Sequence, residues 1–270
     1  MNRIQGNPIT RWIIGVLTAA VCCGCGSTPK GSDTPALTLL VSASLEKPAS
    51  ALVEAYNKNI PSDGRIAVRP VSEEEISGNL ATGDASAVIQ WREPPAENWS
   101  ALLGWTGISL AVHPDNPIQG ISSAEASGIF SGRMERWEDV GGSSGEIHPF
   151  VVDPGNPLAG LFENFVLSEG RFAPGAMIVP SLDGMTAAIA GDPQSIGYLL
   201  MFDPAPGVKI LAVDSIHPDY PGLIAGAYPF RIPLYLRAQE PVAAEILAFA
   251  GWTQSVSGQA VLLQLHSKES

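Results

Sequence analysis

Apolar and polar positions alternate along this chain in two periods that succeed one another. "ALTLLVSA" (36–43) is a short apolar run of strand type, and "SLEKPASALVEAYNK" (44–58) then puts Leu45, Ala49, Leu52, Val53 and Tyr56 on one helical face. "RIAVRPV" (65–71) predicts a second strand, "SEEEISGNLATGD" a helix, and "ASAVIQW" a third strand. After a loop come the strand "GISLAVHP" (107–114), the helix "SSAEASGIFSG" and the strand "IHPFVV". "SLDGMTAAIAG" predicts a helix, "IGYLLM" and "VKILAVD" (208–214) strands, and "RIPLYLRA" a further strand. Two helical stretches, "PVAAEILAFAGWTQ" and "SGQAVLLQ", follow it. Strands alternating with helices through short loops predict an α/β architecture with largely parallel sheets.

One joint in this pattern poses a chemical question. "VVDPGNPLAGLFENF" (151–165) passes from a strand through Gly155-Asn156-Pro157 into the apolar helical face Leu158, Leu161, Phe162, Phe165. A helix start offers unpaired N–H groups and a partial positive charge, a natural seat for an anion. Similar joints place Ser42 and Ser44 after the first strand, Ser72 at the second helix and Ser181 at a later one. In open α/β sheets, ligands bind beyond the carboxyl ends of the strands, where such helix starts converge. Each residue alone also fits an ordinary N-cap, and "SEEE" (72–75) has the pattern of a capping box, with Glu75 placed to reach back.

Composition narrows the classes of function. The 270 residues are 45% hydrophobic and 16% charged, with 28 Gly and 23 Pro, as suits a globular protein rich in short loops. Formal net charge is -12, so the surface argues against nucleic acid as a partner. A small anion held by local dipoles is compatible with that charge, because distant exposed charges are screened. The four histidines, His113, His148, His217 and His266, form no paired ligand motif, so neither a metal nor another cofactor is expected. The chain has no G-x-S-x-G elbow, Walker loop or G-x-G-x-x-G, and catalysis is not expected.

The N-terminus reads as an address. Arg3 and Arg11 precede an apolar run, Trp12 to Cys23, shorter than the roughly 20 residues a spanning helix needs. "VCCGCGSTPKGSDTP" follows, and a small residue before a cysteine with a polar tether after it resembles a bacterial lipoprotein cleavage site. On this reading residues 1–24 are the signal peptide, Cys25 carries the lipid and residues 25–35 form the tether. Cys23 is the alternative lipid carrier, and a plain secretory signal the alternative address. All 3 cysteines cluster here, leaving the mature fold without disulfides.

Four further segments carry a family resemblance. "IFSGRMERWEDVGGSSGEIHPFVV" (129–152), "AVHPDNPI" (111–118), "DPQSIGYL" (192–199) and "YPFRIPLYL" (228–236) resemble, in order and spacing, the substrate-binding proteins of phosphate ABC transporters. The resemblance extends from about residue 36 to residue 263, and "LLVSASLEKPASALVEAY" is similar to the opening of molybdate-binding proteins. Both imply a two-lobed periplasmic binding protein-like II fold, with an oxyanion between the lobes and a two-segment hinge. The implied lobes are 36–107 with 215–270, and 108–214, with crossings near 107–113 and 210–216. Implied partners are a small oxyanion, a transporter permease and, through the lipid, the membrane.

The departures from the family pattern lie at the joints. Where the family has G-S-G-T, this chain has Gly155-Asn156-Pro157-Leu158, and the arginine upstream is replaced by Val152 or Asp153. A usual G-S-G-x-G becomes Val71-Ser72-Glu73-Glu74-Glu75, and Pro157 lacks one N–H donor. Carried over by resemblance, the ligand residues are Ser44, Ser72, Gly155 and Asn156. Ser42, Trp91 and Asp183 are assigned by position alone, and Ser181 as a helix opener. Two functions therefore stand: a solute-binding protein feeding a transporter, or a binding-fold lipoprotein that has lost its transport ligands and serves as a sensor or interaction module. The ligand alternatives are molybdate, tungstate or a non-anionic solute.

Overall fold

In the computed structural model of this chain, residues 37–61, 64–82, 87–168, 170–203 and 205–267 are described. The expected signal peptide and tether, with Cys23 and Cys25, lie outside the described residues.

Three parallel strands open the chain. They are β1 (Leu37–Ser42), β2 (Ile66–Val71) and β3 (Ala87–Gln90), joined by α1 (Glu46–Asn57) and α2 (Glu73–Thr82). The last four residues of β1 and all of β3 are buried without alternation, as expected of strands covered on both faces. α1 buries Ala49, Leu52, Val53 and Tyr56, the stripe its periodicity predicts. It starts at Glu46 and not at Ser44, because Ala43–Leu45 form a 3-10 turn first.

The chain continues through β4 (Trp99–Val112), β5 (Gly120–Ile121), α3 (Ser123–Phe130), β6 (His148–Val152) and α4 (Pro157–Phe165). β7 (Met177–Val179), α5 (Leu182–Ala190), β8 (Ser195–Leu200), β9 (Lys209–Ile210) and β10 (Ala212–Val213) follow. It closes with α6 (Tyr220–Ala225), β11 (Arg231–Ala238), α7 (Ala244–Thr253) and α8 (Val256–Ser267). A capping box sits at Ser122 and Glu125, at the start of α3.

Strand order gives the architecture. The main sheet runs β2-β1-β3-β11-β4-β8-β6-β7, with β9 also on β4. It is two copies of one pattern, β2-β1-β3-β11-β4 and β7-β6-β8-β4-β9, sharing β4. In each half the first strand has neighbours on both sides from later in the chain, so the loops leaving their carboxyl ends open a crevice. This is the two-lobed type II binding-protein arrangement expected from the resemblance.

β4 is the common member. Its 14 residues pair with β11 from Trp99 to Gly107 and with β8 from Ile108 to Val112. At the change of partner a Cβ on Gly107 would lie 2.6 Å from Met201 Sδ, 3.0 Å from Leu223 Cδ2 and 3.1 Å from the Phe230 carbonyl oxygen, so a side chain there would have to displace these neighbours. Ile108 N–H donates to the Phe230 carbonyl (3.0 Å), and the Tyr228 hydroxyl donates to the Ile108 carbonyl (2.8 Å).

The stretch 208–214, predicted as one strand, is divided. Lys209–Ile210 pairs with β4 and Ala212–Val213 with β5, so the chain changes sheets at Leu211. Asp214 and Ser215 follow with left-handed backbone (φ 50° and 66°). The first half of β4, β7 and α6 are not predicted by the sequence pattern. β7 is an edge strand with Met177 and Ile178 exposed, so it lacks the apolar signal of a buried strand.

One apolar cluster runs through both halves, and a smaller one of Leu40, Val71, Ile76 and Val88 lies apart from it. Beneath α4, the buried rings of Phe162 and Tyr198 lie 3.9 Å apart between centroids, and Phe130 is 4.6 Å from Phe162. The Tyr198 hydroxyl accepts from Val152 N–H (3.3 Å), which ties the end of β6 to this cluster just before the joint at Asp153. Burial raises the Tyr198 pKa well above its ordinary value.

Candidate functional site between the strand ends

The carboxyl end of β1 delivers two hydroxyls. Ser42 is fully buried, Ser44 nearly so, and their Oγ atoms are 3.0 Å apart. Ser42 Oγ donates to Glu73 Oε1, at the first position of α2. Trp91, directly after β3, donates its indole N–H to the same oxygen over 3.1 Å. A hydroxyl has one proton, so with Ser42 donating to Glu73 it is Ser44 that donates to Ser42. Three sequence-predicted residues, Ser42, Ser44 and Trp91, thus form one donor chain that ends on the Glu73 carboxylate.

Trp91 is itself held on two sides. Arg92 places its guanidinium 4.1 Å from the indole centroid, and Phe165, the last residue of α4, meets the ring edge-on at 5.7 Å. The first half therefore touches the second through an aromatic pair.

Ser72 has a different place. It is exposed, its Oγ accepts from Glu75 N–H (3.1 Å), and the Glu75 carboxylate pairs with Arg69 at 2.7 Å. Ser72 caps α2 and does not join the donor chain of Ser42 and Trp91.

The joint after β6 closes on itself. Asp153 Oδ1 accepts from Gly155 N–H (2.8 Å), and the Asp153 carbonyl accepts from Asn156 N–H (2.8 Å). Asn156 is the N-cap of α4, accepting from Leu158 N–H at 2.9 Å, with Pro157 at the first helical position. Ser181 is the N-cap position of α5, extended and exposed, without a side-chain cap bond. Asp183 follows in α5, and its side chain lies outside the described residues.

Between the halves lies a cavity of about 650 Å³. Ser44, Lys47 and Glu54 line it from the first half, and Asn156, Leu182 and Asp203 from the second. Lys47 Nζ lies 2.8 Å from Asp203 Oδ1 and donates to the Phe202 carbonyl at 2.8 Å, so an ion pair crosses the cavity wall. Of the predicted residues, Ser44 and Asn156 share this cavity, while Ser42, Trp91 and Ser72 do not line it.

Three participants escape the sequence reading. Glu73 reads as a lost glycine, yet as the first residue of α2 it receives two donors from the ends of β1 and β3. Lys47 and Asp203 meet only through the fold. Among the described residues no group of three or more His, Cys, Asp or Glu is placed to hold a metal ion, and no described helix is long and apolar enough to cross a membrane.

A family model described as a PBP superfamily domain matches residues 28–257. The chain belongs to this superfamily. In sequence it is 27% identical over 124 residues to the phosphate-binding protein PstS of Bacillus subtilis strain 168, an alignment covering 46% of this chain and 41% of that protein. The match thus spans less than half of that relative.

Solved structures extend the likeness across the fold. An ABC-type phosphate transport receptor from Vibrio cholerae superposes with a TM-score of 0.75 at 20% identity, covering 85% of this chain and 98% of the other. A putative phosphate ABC transporter substrate-binding protein with bound phosphate from Clostridium perfringens gives 0.69 at 18%, covering 86% and 98%. PstS from Borrelia burgdorferi gives 0.67 at 16%, covering 85% and 97%. At these identities the superpositions establish the PBP type II fold.

Proposed function

We propose that this chain is the extracytoplasmic solute-binding component of an ABC transporter, that it takes a small oxyanion of the phosphate class between its halves, and that a lipid on Cys25 holds it at the membrane. The observation that carries the reading is the cavity of about 650 Å³ with Ser44 on one wall and Asn156 on the other, each at a strand-to-helix joint of a different half. Two helix starts turn their partial positive ends to this cavity; at the second the N–H groups of Gly155, Asn156 and Leu158 are already taken, so it is the dipole and the Asn156 side-chain amide that suit an anion. The names of the similar proteins, phosphate receptors and a phosphate-bound binding protein, support the same ligand class. A transporter permease is the corresponding partner. The lobes divide at 107/108, where β4 exchanges β11 for β8, and at 214/215, where the left-handed pair Asp214 and Ser215 leaves β10. A hinge there lets the halves close on a ligand.

The test is a thermal-shift panel on residues 26–270 with phosphate, sulfate, molybdate, tungstate and neutral solutes. A ligand at about 1,000 times its dissociation constant adds about 4 kcal/mol. For a domain of this size that raises Tm by roughly 8–16 °C. A large shift with one oxyanion supports the reading, whereas shifts confined to neutral solutes overturn the ligand class.

A further inference from the structure

We propose that Glu73 is a built-in competitor for the anion seat of the first half, and so a specificity-determining residue of the site. The inference rests on the oxyanion reading above. Two donors from different strand ends, the buried Ser42 hydroxyl and the Trp91 indole N–H, converge on one oxygen of the Glu73 carboxylate. Converging N–H and O–H donors at the carboxyl ends of β1 and β3 are the chemistry that recognises an oxyanion. Here the chain supplies that anion itself, from the first residue of α2.

The geometry is more specific than a carboxylate at a helix start. Ser42 and Glu73 are 31 positions apart, and Trp91 and Glu73 18 apart, so three separate strand ends meet at one atom. Ser44 extends the chain of hydroxyls from Glu73 to the cavity wall, because it touches Ser42 and lines the cavity. An anion entering that cavity meets Ser44, whose proton is committed to Ser42, and behind it the donors already taken by Glu73.

A tethered group acts at an effective concentration of roughly mM or more, and only a ligand that outbids it, or leaves it in place, can bind. Its negative charge adds repulsion toward any second anion a few ångströms away. The device weakens binding of ordinary oxyanions and raises selectivity, because a free anion must replace two hydrogen bonds to a charged acceptor to gain the seat.

The experiment compares the wild type with Glu73→Gln and Glu73→Ala by titration calorimetry with phosphate, sulfate and molybdate. Glu73→Gln keeps the shape and removes the charge, and so preserves the fold if Glu73→Ala does not. In parallel, the indole N–H resonance of Trp91, assigned by Trp91→Phe, is followed by NMR. The expected result is anion binding about tenfold or more tighter in the variants, with the Trp91 resonance moving on anion addition. Anion binding by the variants alone also supports the proposal. Wild-type binding that both variants match or weaken overturns it and leaves the proposed function standing. No oxyanion binding by any of the three proteins overturns both.

Discussion

Lys47 and Asp203 are 156 positions apart in the chain and 2.8 Å apart in space. Lys47 belongs to α1 of the first half, and Asp203 follows β8 of the second. Lys47 Nζ also lies 5.1 Å from the Phe202 ring centroid. The pair is partly exposed, so its worth to folding is at most about 1 kcal/mol. Its place across the cavity gives it a larger effect on closure than on stability. Lys47→Met is therefore expected to shift the urea midpoint little but to raise the radius of gyration of the ligand-free protein in small-angle scattering. An unchanged radius would show that the halves are held without it.

Ser42 is expected to be coupled to Glu73. Ser42→Ala removes a buried donor from a carboxylate and should cost about 1–3 kcal/mol in urea denaturation. In a Glu73→Ala background the same change should cost less, with a coupling of about 0.5–3 kcal/mol. Additive losses would mean that Ser42 contributes through packing alone.

Asn156 and Pro157 make the joint after β6 a capped corner. Loss of the Leu158 N–H bond in Asn156→Ala should cost about 1 kcal/mol. For a domain of this size that lowers Tm by about 2–4 °C. Asn156→Ser retains a capping oxygen and should stay close to wild type. If Asn156→Ala weakens phosphate binding by more than about tenfold, which is more than loss of the cap accounts for, Asn156 serves the ligand as well as the helix.

His266 ties α8 to the common strand. Its Nε2 lies 3.1 Å from Thr106 Oγ1, its Nδ1 lies 2.7 Å from the Leu262 carbonyl, and its ring stacks on Tyr220 at 4.9 Å. Burial lowers its pKa, while the bond to the Leu262 carbonyl acts the other way. The unfolded chain then binds the proton more tightly than the folded one, so the stability of the neutral form is present above about pH 6.5 and is lost as pH falls from there through the lowered folded value. His266→Gln should accordingly reduce the drop in urea midpoint between about pH 7.5 and about pH 5.5. An equal drop in both proteins would assign the acid sensitivity to other groups.

Cys25→Ala should move the protein from the membrane fraction to the soluble one. Release by Cys23→Ala instead would transfer the lipid to that position, and retention of both variants would remove the lipoprotein reading.

Much of this molecule was legible in one dimension. β11 coincides with its predicted stretch, residue for residue, and the buried stripe of α1 is the one its periodicity picks out. Both signals are local, since a half-buried strand or helix writes its burial into alternate or every third and fourth position. The positions of Ser42, Ser44, Trp91 and Asn156 were legible too, because strand ends in an α/β sheet are marked by polar residues after apolar runs. The first half of β4 was not, since its pairing with β11 depends on a strand more than a hundred residues later.

What only tertiary structure decided is which groups those residues meet. Ser72 and Asn156 have the same N-cap chemistry in sequence, yet one faces solvent over Arg69 and Glu75 while the other borders the cavity between the halves. Glu73 stands in sequence as one of three consecutive carboxylates, and nothing local marks it as the acceptor for groups outside α2. It is singled out because parallel pairing sets the ends of β1, β2 and β3 side by side, bringing a hydroxyl and an indole N–H from two other loops onto its carboxylate. A hydrogen bond depends on distance and direction across the fold, and those are properties of strand order, which the sequence encodes only through the whole chain.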